Sequence, residues 1–224
     1  VGRDISVSDI KVNVQGTCCK LSATDTSPPS LLRLLQGTSI EISTPLIGSI
    51  YAGNMAVSAL ALSQLDIDLK TEHILKGFAS SSMLARFEIV SQSPFVVLDG
   101  AHTPESIRNI LVTFLELSKA PRILLFGCAH DKKHEEIAKI LSPYFNEIII
   151  TRPGTFKQSE PAIVFESFQK QMSNNILIDC YLIEDTNSAI TKALSDAKEK
   201  NACVLVTGSF YLCAEFKKSR LCFE

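Results

Sequence analysis

The chain contains no long apolar run. Its longest stretches, such as residues 123–126 and 148–150, are short and interrupted. A membrane helix needs roughly 18 or more apolar residues in succession, so none is expected. No basic segment followed by an apolar one opens the sequence as a secretory signal would. An excess of charge is also missing: 22 Lys+Arg stand against 24 Asp+Glu, for a net charge of -2. That argues against a generally basic surface for coating nucleic acid. The ten glycines include no Gly-x-Gly-x-x-Gly, no Gly-x-x-x-x-Gly-Lys-Ser/Thr and no Gly-Lys pair. A phosphate-cradling loop of that kind is therefore absent from these residues. The seven cysteines are odd in number, and most lie in apolar surroundings (Cys128, Cys180, Cys203, Cys213). Buried free thiols in a reducing cytoplasm explain them more simply than a disulfide framework. The first residue is Val1 rather than Met, so the chain reads as a piece of something longer.

What is present is ordinary globular material, 46% hydrophobic and 21% charged over 224 residues. That length supports one large or two modest domains. Residues 5–14 alternate (Ile5, Val7, Ile10, Val12, Val14, with one slip), and residues 19–21 follow a Gly16 turn, which predicts a hairpin. Residues 27–29 form a turn-rich break, and 39–42 predict another strand. Residues 48–54 lead into an Ala- and Leu-rich helix over 55–65, and a second helix is expected over 70–78. From about Arg86 strands and helices alternate strictly. Strands are expected at 95–98, 122–126, 147–151, 177–183 and 203–207, with helices at 104–117, 134–141, 161–172, 186–200 and 210–217. In the first of these helices Ile107, Ile110, Leu111, Phe114 and Leu115 share one face. Thr103 is placed to cap it, and Pro104 suits its first position. Strands that are apolar throughout are buried on both faces. They imply a mostly parallel sheet between helix layers, a doubly wound, Rossmann-like α/β domain.

Such sheets hold ligands at the carboxyl ends of their strands. Asp99 and His102, the run Gly127-Cys128-Ala129-His130-Asp131-Lys132, and Thr207-Gly208-Ser209 all fall there. Each carries a structural reading beside a functional one. Asp99 can cap backbone N–H groups or take both hydroxyls of a ribose. His102 can bond its own loop or meet a ligand. Ser209 can cap the last helix or use that helix start to hold a carboxylate or phosphate. Asp131-Lys132-Lys133 most simply forms a solvated corner. His130 and His134, with Cys128 nearby, have a zinc-compatible spacing, but no H-E-x-x-H glutamate and no second ligand pair accompany them.

In chain order, Gly2-Arg3-Asp4, Pro45-Leu46-Ile47-Gly48 with Asn54 and an Ala-rich helix, Arg86-Phe87-Glu88, Asp99-Gly100-Ala101-His102-Thr103-Pro104, Phe126-Gly127 with Asp131-Lys132, and Thr207-Gly208-Ser209-Phe210-Tyr211-Leu212 form a set. Together they resemble the folylpolyglutamate synthase / dihydrofolate synthase branch of the Mur ligases. The resemblance covers nearly the whole chain. It departs from the family pattern at Ile50 and Tyr51 (His and Gln), Ala85 (Gly) and Thr103 (Asn).

The resemblance implies that residues 1–82 are the C-terminal part of the central ATP-binding domain and 83–224 the complete C-terminal domain, with a hinge near residues 80–85. It implies ATP-driven amide formation through an acyl phosphate, with L-glutamate added to a folate or dihydropteroate. Asn54, Arg86 and Asp99 are then expected on ATP, His102 and Ser209 on glutamate, and Asp131 and Lys132 lining the cleft. ATP and Mg2+ are the implied cofactors, the metal ligands being expected upstream, so that the chain is inactive alone. A monomer in the cytoplasm, with no nucleic-acid or membrane partner, is expected. The four departures leave an alternative open: a non-catalytic module of the same family that binds a nucleotide or an amino acid.

Overall fold

The computed structural model describes residues 1–65, 67–155, 158–172 and 178–219. The chain forms two compact units, Val1–Met83 and Leu84–Glu224.

In the first unit β1 (Ile5–Asn13), β2 (Gly16–Ala23) and β3 (Ser39–Thr44) form an antiparallel sheet in that order. The Gly16 turn is obligatory: a Cβ there would lie 2.1 Å from the Thr44 carbonyl oxygen. One residue later the buried Thr17 hydroxyl donates to the Leu46 carbonyl at 2.8 Å and accepts the Gly48 N–H at 3.1 Å. This fastens the Pro45–Gly48 loop to β2. The helices are α1 (Pro29–Leu34), α2 (Ile50–Ser63) and α3 (Thr71–Ala79). Small side chains of α2 (Ala52, Ala56, Ala59) and Met55 pack with Ile5, Leu21, Leu31 and Ile42. Two differences from the sequence-based expectation stand out. Residues 27–29 read as a break, yet Pro29 opens α1, where a proline suits the first turn. Helix α2 begins at Ile50, so Asn54 lies inside the helix, exposed, rather than in the loop before it.

The second unit holds a six-stranded sheet, in the order β4 (Glu88–Gln92), β5 (Phe95–Leu98), β9 (Cys203–Thr207), β6 (Arg122–Phe126), β7 (Glu147–Ile150) and β8 (Asp179–Leu182). All pairings are parallel except β4 with β5. This is the mostly parallel α/β sheet expected from the apolar strands. The antiparallel β4 was not anticipated: its residues are half-buried and carry neither strict alternation nor a fully apolar run. Of the strand expected at 177–183, Leu177 lies outside the described residues.

Connections run β5–α4 (Pro104–Leu117)–β6–α5 (His134–Leu141)–β7–α6 (Pro161–Met172)–β8 in one direction. Helix α7 (Thr186–Lys200) then returns across the sheet to β9, and α8 (Phe210–Lys218) follows. Right-handed crossovers put α4, α5 and α6 on one face and α7 on the other. The packing agrees, since α5 touches α4 and α6 while α7 touches α8. The central core runs through Val96, Leu98, Ile123, Leu125, Val204 and Val206, covered by Ile190, Ala193 and Leu194 of α7 and Leu212 and Phe216 of α8. Emptying such a position to alanine costs about 2–5 kcal/mol. Neighbouring strands β5 and β9 thus send their helices to opposite faces. That is a topological switch point, and it opens a crevice at their carboxyl ends.

Candidate functional site

The crevice is built from three chain corners brought together by hydrogen bonds. Asp99 extends the β5–β9 ladder, donating its N–H to the Val206 carbonyl at 3.0 Å. The Gly208 N–H reaches the Ala101 carbonyl at 2.9 Å, and the Gly100 N–H reaches the Ala85 carbonyl at 2.8 Å. Gly208 holds φ +101°, and a Cβ on it would lie 2.7 Å from the Gly127 carbonyl oxygen. Only glycine allows the ends of β9 and β6 to approach so closely.

Asp99 is 6% exposed. One carboxylate oxygen accepts the Ala101 N–H and the other the Phe87 N–H, both at 2.8 Å. Burial pushes this carboxyl above its ordinary value, against the pull of those two bonds and of the charges on Arg86 and His102. The carboxylate therefore braces the turn that carries Arg86. That turn is left-handed on either side of it, with φ 51° at Ala85 and 45° at Phe87. Glu88 adds a second brace. One of its oxygens takes the Ala85 N–H at 2.9 Å, and the other pairs with Lys217 of α8 at 2.5 Å. The family pattern has Gly where Ala85 stands, and the positive φ gives the physical reason.

Arg86 projects from this turn across Phe210, its guanidinium carbon 4.7 Å from the ring centroid. Among the described residues no carboxylate forms an ion pair with it, so its N–H donors are open to an anion. His102 Nδ1 lies 2.8 Å from the Gly100 carbonyl. A carbonyl only accepts, so Nδ1 carries a proton, and in the neutral form of the ring Nε2 is an acceptor. Ser209, 9% exposed, caps α8 by accepting the Tyr211 N–H at 3.1 Å. Thr103 caps α4 in the same manner through the Ser106 N–H at 3.2 Å. Both helix starts direct partial positive charge toward this end of the sheet.

Of the residues singled out from sequence, Arg86, Asp99, His102 and Ser209 therefore converge. Asp131 and Lys132 follow β6 at the same sheet end, but pair with each other at 3.1 Å on an exposed corner. Lys132 holds the Asp131 carboxyl below its ordinary value. Asn54 belongs to the first unit, on α2. His134 Nδ1 is engaged with Ser167 Oγ at 2.9 Å. Among the described residues no group of three or more His, Cys, Asp or Glu could hold a metal ion. Nor is any described helix long and apolar enough to cross a membrane. Sequence reading missed the part played by Phe210. An aromatic at the first position of a helix has no periodic partner to flag it, although its place directly after Thr207-Gly208-Ser209 is a usable signal.

The comparisons agree with this architecture. A folylpolyglutamate synthase of Lacticaseibacillus casei is 26% identical over 186 residues, 81% of this chain and 41% of its own length. A probable bifunctional folylpolyglutamate synthase/dihydropteroate synthase of Haloferax volcanii is 27% identical over 79% of this chain and 20% of its own length. A UDP-N-acetylmuramoyl-L-alanyl-D-glutamate--2,6-diaminopimelate ligase of Halalkalibacterium halodurans is 28% identical over 99% of this chain and 43% of its own. The chain thus spans a fifth to under half of these relatives. The Mycobacterium tuberculosis folylpolyglutamate synthase complexed with ADP has the same fold, with TM-score 0.79 and 21% identity over 99% of this chain and 48% of that one. Residues 85–210, more than half of the chain, match the family described as "Mur ligase, glutamate ligase domain", and the chain belongs to that family.

Proposed function

We propose that this chain is part of an ATP-dependent amide ligase that adds L-glutamate to a folate or dihydropteroate through an acyl phosphate. The observation that carries this reading is the Arg86 guanidinium, laid on Phe210 with no carboxylate partner among the described residues, beside His102 and the Ser209 helix start. A fixed, permanently charged fork suits phosphate oxygens. A helix start suits the carboxylate of an amino acid.

In this scheme residues 1–82 are the end of the central ATP-binding domain and 83–224 the C-terminal domain. A carboxylate oxygen of the pterin substrate attacks the γ-phosphorus of ATP, and ADP leaves. The amine of glutamate then attacks the acyl carbon, and phosphate leaves. Holding both partners and neutralising the transferring phosphoryl group account for such catalysis. Arg86 supplies charge to the phosphates. Asp99 belongs to the ATP side, and the resemblance alone puts Asn54 there. Ser209 takes the glutamate carboxylate, and the free Nε2 of His102 is an acceptor for its ammonium. Asp131 and Lys132 line the cleft. The phosphate loop and the magnesium ligands come from sequence outside this chain, so that the chain does not turn over alone.

In the full-length protein, Asp99→Ala should weaken use of ATP, whereas Ser209→Ala should raise the KM for glutamate. Unchanged kinetics in both variants would falsify the assignment. The exposed Ile50, where the family pattern has a histidine, favours the second reading, a binding module that no longer catalyses. Nucleotide binding without glutamate-dependent ADP release from the full-length protein would select it.

A further inference from the structure

We infer that Phe210 is the positioning residue of this site, its ring being the platform that holds the Arg86 guanidinium in place for an anionic ligand. Three observations meet on this ring. Arg86 lies over its face with 4.7 Å between guanidinium carbon and centroid. The His102 ring meets it edge-on, with centroids 6.2 Å apart and planes at 67°. On its remaining side it rests on bare backbone: a Cβ on Gly100 would lie 2.4 Å from two ring atoms. The ring is therefore seated by the site rather than by the core, and it stays 38% exposed.

The backbone dictates this placement. Gly208 holds φ +101° hard against the Gly127 carbonyl, Ser209 caps α8, and the first helical side chain, Phe210, is thereby delivered onto the Asp99–His102 corner. The braced Ala85–Phe87 turn brings Arg86 to the ring from the other direction. An arginine free to sample its rotamers would lose that freedom on binding. One stacked on a ring has lost it already, and keeps the edges of its planar fork open. The platform rests on the proposed nucleotide reading only for the identity of its anion.

The test has two separate readouts, a proton spectrum of the 224-residue chain and ATP binding by the full-length protein. The Arg86 δ-protons should resonate upfield through the Phe210 ring current. The shift should vanish in Phe210→Leu and persist in Phe210→Tyr. Its absence in the unaltered chain overturns the platform without need of any variant, so a Leu variant that fails to fold does not protect the idea. In titrations with ATP, Phe210→Leu should bind roughly three- to tenfold more weakly and Phe210→Tyr close to wild type. With Arg86→Ala already present, Phe210→Leu should add nothing, whereas an undiminished further loss would show that the ring acts independently of Arg86. If the unaltered full-length protein takes up no ATP at all, the nucleotide reading fails while the Arg86 shift still decides the platform.

Discussion

Replacing Asp99 by asparagine separates its bracing role from any ligand contact. Asn is almost isosteric but has one acceptor oxygen. Whichever way the amide lies, its NH2 must face either the Phe87 or the Ala101 N–H, each now 2.8 Å from a carboxylate oxygen. One buried N–H then loses its acceptor, at about 1–3 kcal/mol, and the surviving bond weakens from charge-assisted to neutral, about 1 kcal/mol more. Two effects oppose this. The buried ionised carboxylate disappears, and Phe87, held at φ 45°, can leave a conformation that costs on the order of 1–3 kcal/mol. The net expectation is a loss of about 2 kcal/mol, or roughly 6 °C in the thermal midpoint of a unit this size. Calorimetry and urea unfolding of the chain measure it. The pH dependence supplies a second reading, because subtracting Asp99→Asn from wild type cancels the other carboxylates. Burial raises the native Asp99 value above the unfolded one, so the native state binds the proton more tightly. The stability advantage of Asp99 is then fullest below about pH 3.9 and declines as pH rises through the raised native value. A gap that widens with pH would mean that the two N–H bonds and Arg86 outweigh burial. An Asn variant as stable as wild type would refute the brace altogether.

Gly100→Ala forces a Cβ to within 2.4 Å of the Phe210 ring. It should cost about 1–3 kcal/mol through overpacking and erase the Arg86 ring-current shift; an unchanged spectrum would show that the ring is not seated there. Ser209→Ala removes the α8 cap and should lower stability by about 1 kcal/mol in urea unfolding. Thr17→Val, isosteric and buried, strips the Leu46 carbonyl and the Gly48 N–H of their partner. It should cost about 1–3 kcal/mol and speed amide exchange at Gly48 in the first unit, leaving exchange in β5, β6 and β9 alone.

The parallel sheet was legible because β5, β6 and β9 are buried on both faces and so are written almost wholly in Val, Ile, Leu and Phe. Helix α4 was legible to the residue, since Thr103 and Pro104 mark its start and an unbroken apolar face marks its length. Elements that draw their stability from tertiary partners were not. The edge strand β4 has one sheet neighbour and is held partly by the Glu88–Lys217 pair, 129 residues apart in sequence. Helix α1 has six residues and no side-chain cap, so Pro28 before it and Pro29 at its start read as a break. The left-handed turns at Ala85 and Phe87 are invisible for a related reason. Alanine and phenylalanine do not favour positive φ, and only the bonds from Glu88 and Asp99, with the Gly100 N–H on Ala85, hold them there.

That hidden turn changes what the carboxylate at the end of β5 can be taken to mean. From sequence, an Asp beyond a parallel strand is as much a cap as a ribose ligand. In the folded chain both of its oxygens are engaged by backbone, and it is almost entirely covered. What stands beside it at this end of the sheet is the reverse in sign: the Arg86 guanidinium and the starts of α4 and α8. A negative charge sunk under a positive surface does not compete with an anionic ligand for those donors. Instead it fixes the backbone from which the strongest of them projects. In the proposed function a phosphate lies at the fork and an amino-acid carboxylate at the helix start. An effect of Asp99 on ATP should therefore travel through the position of Arg86 rather than through direct contact.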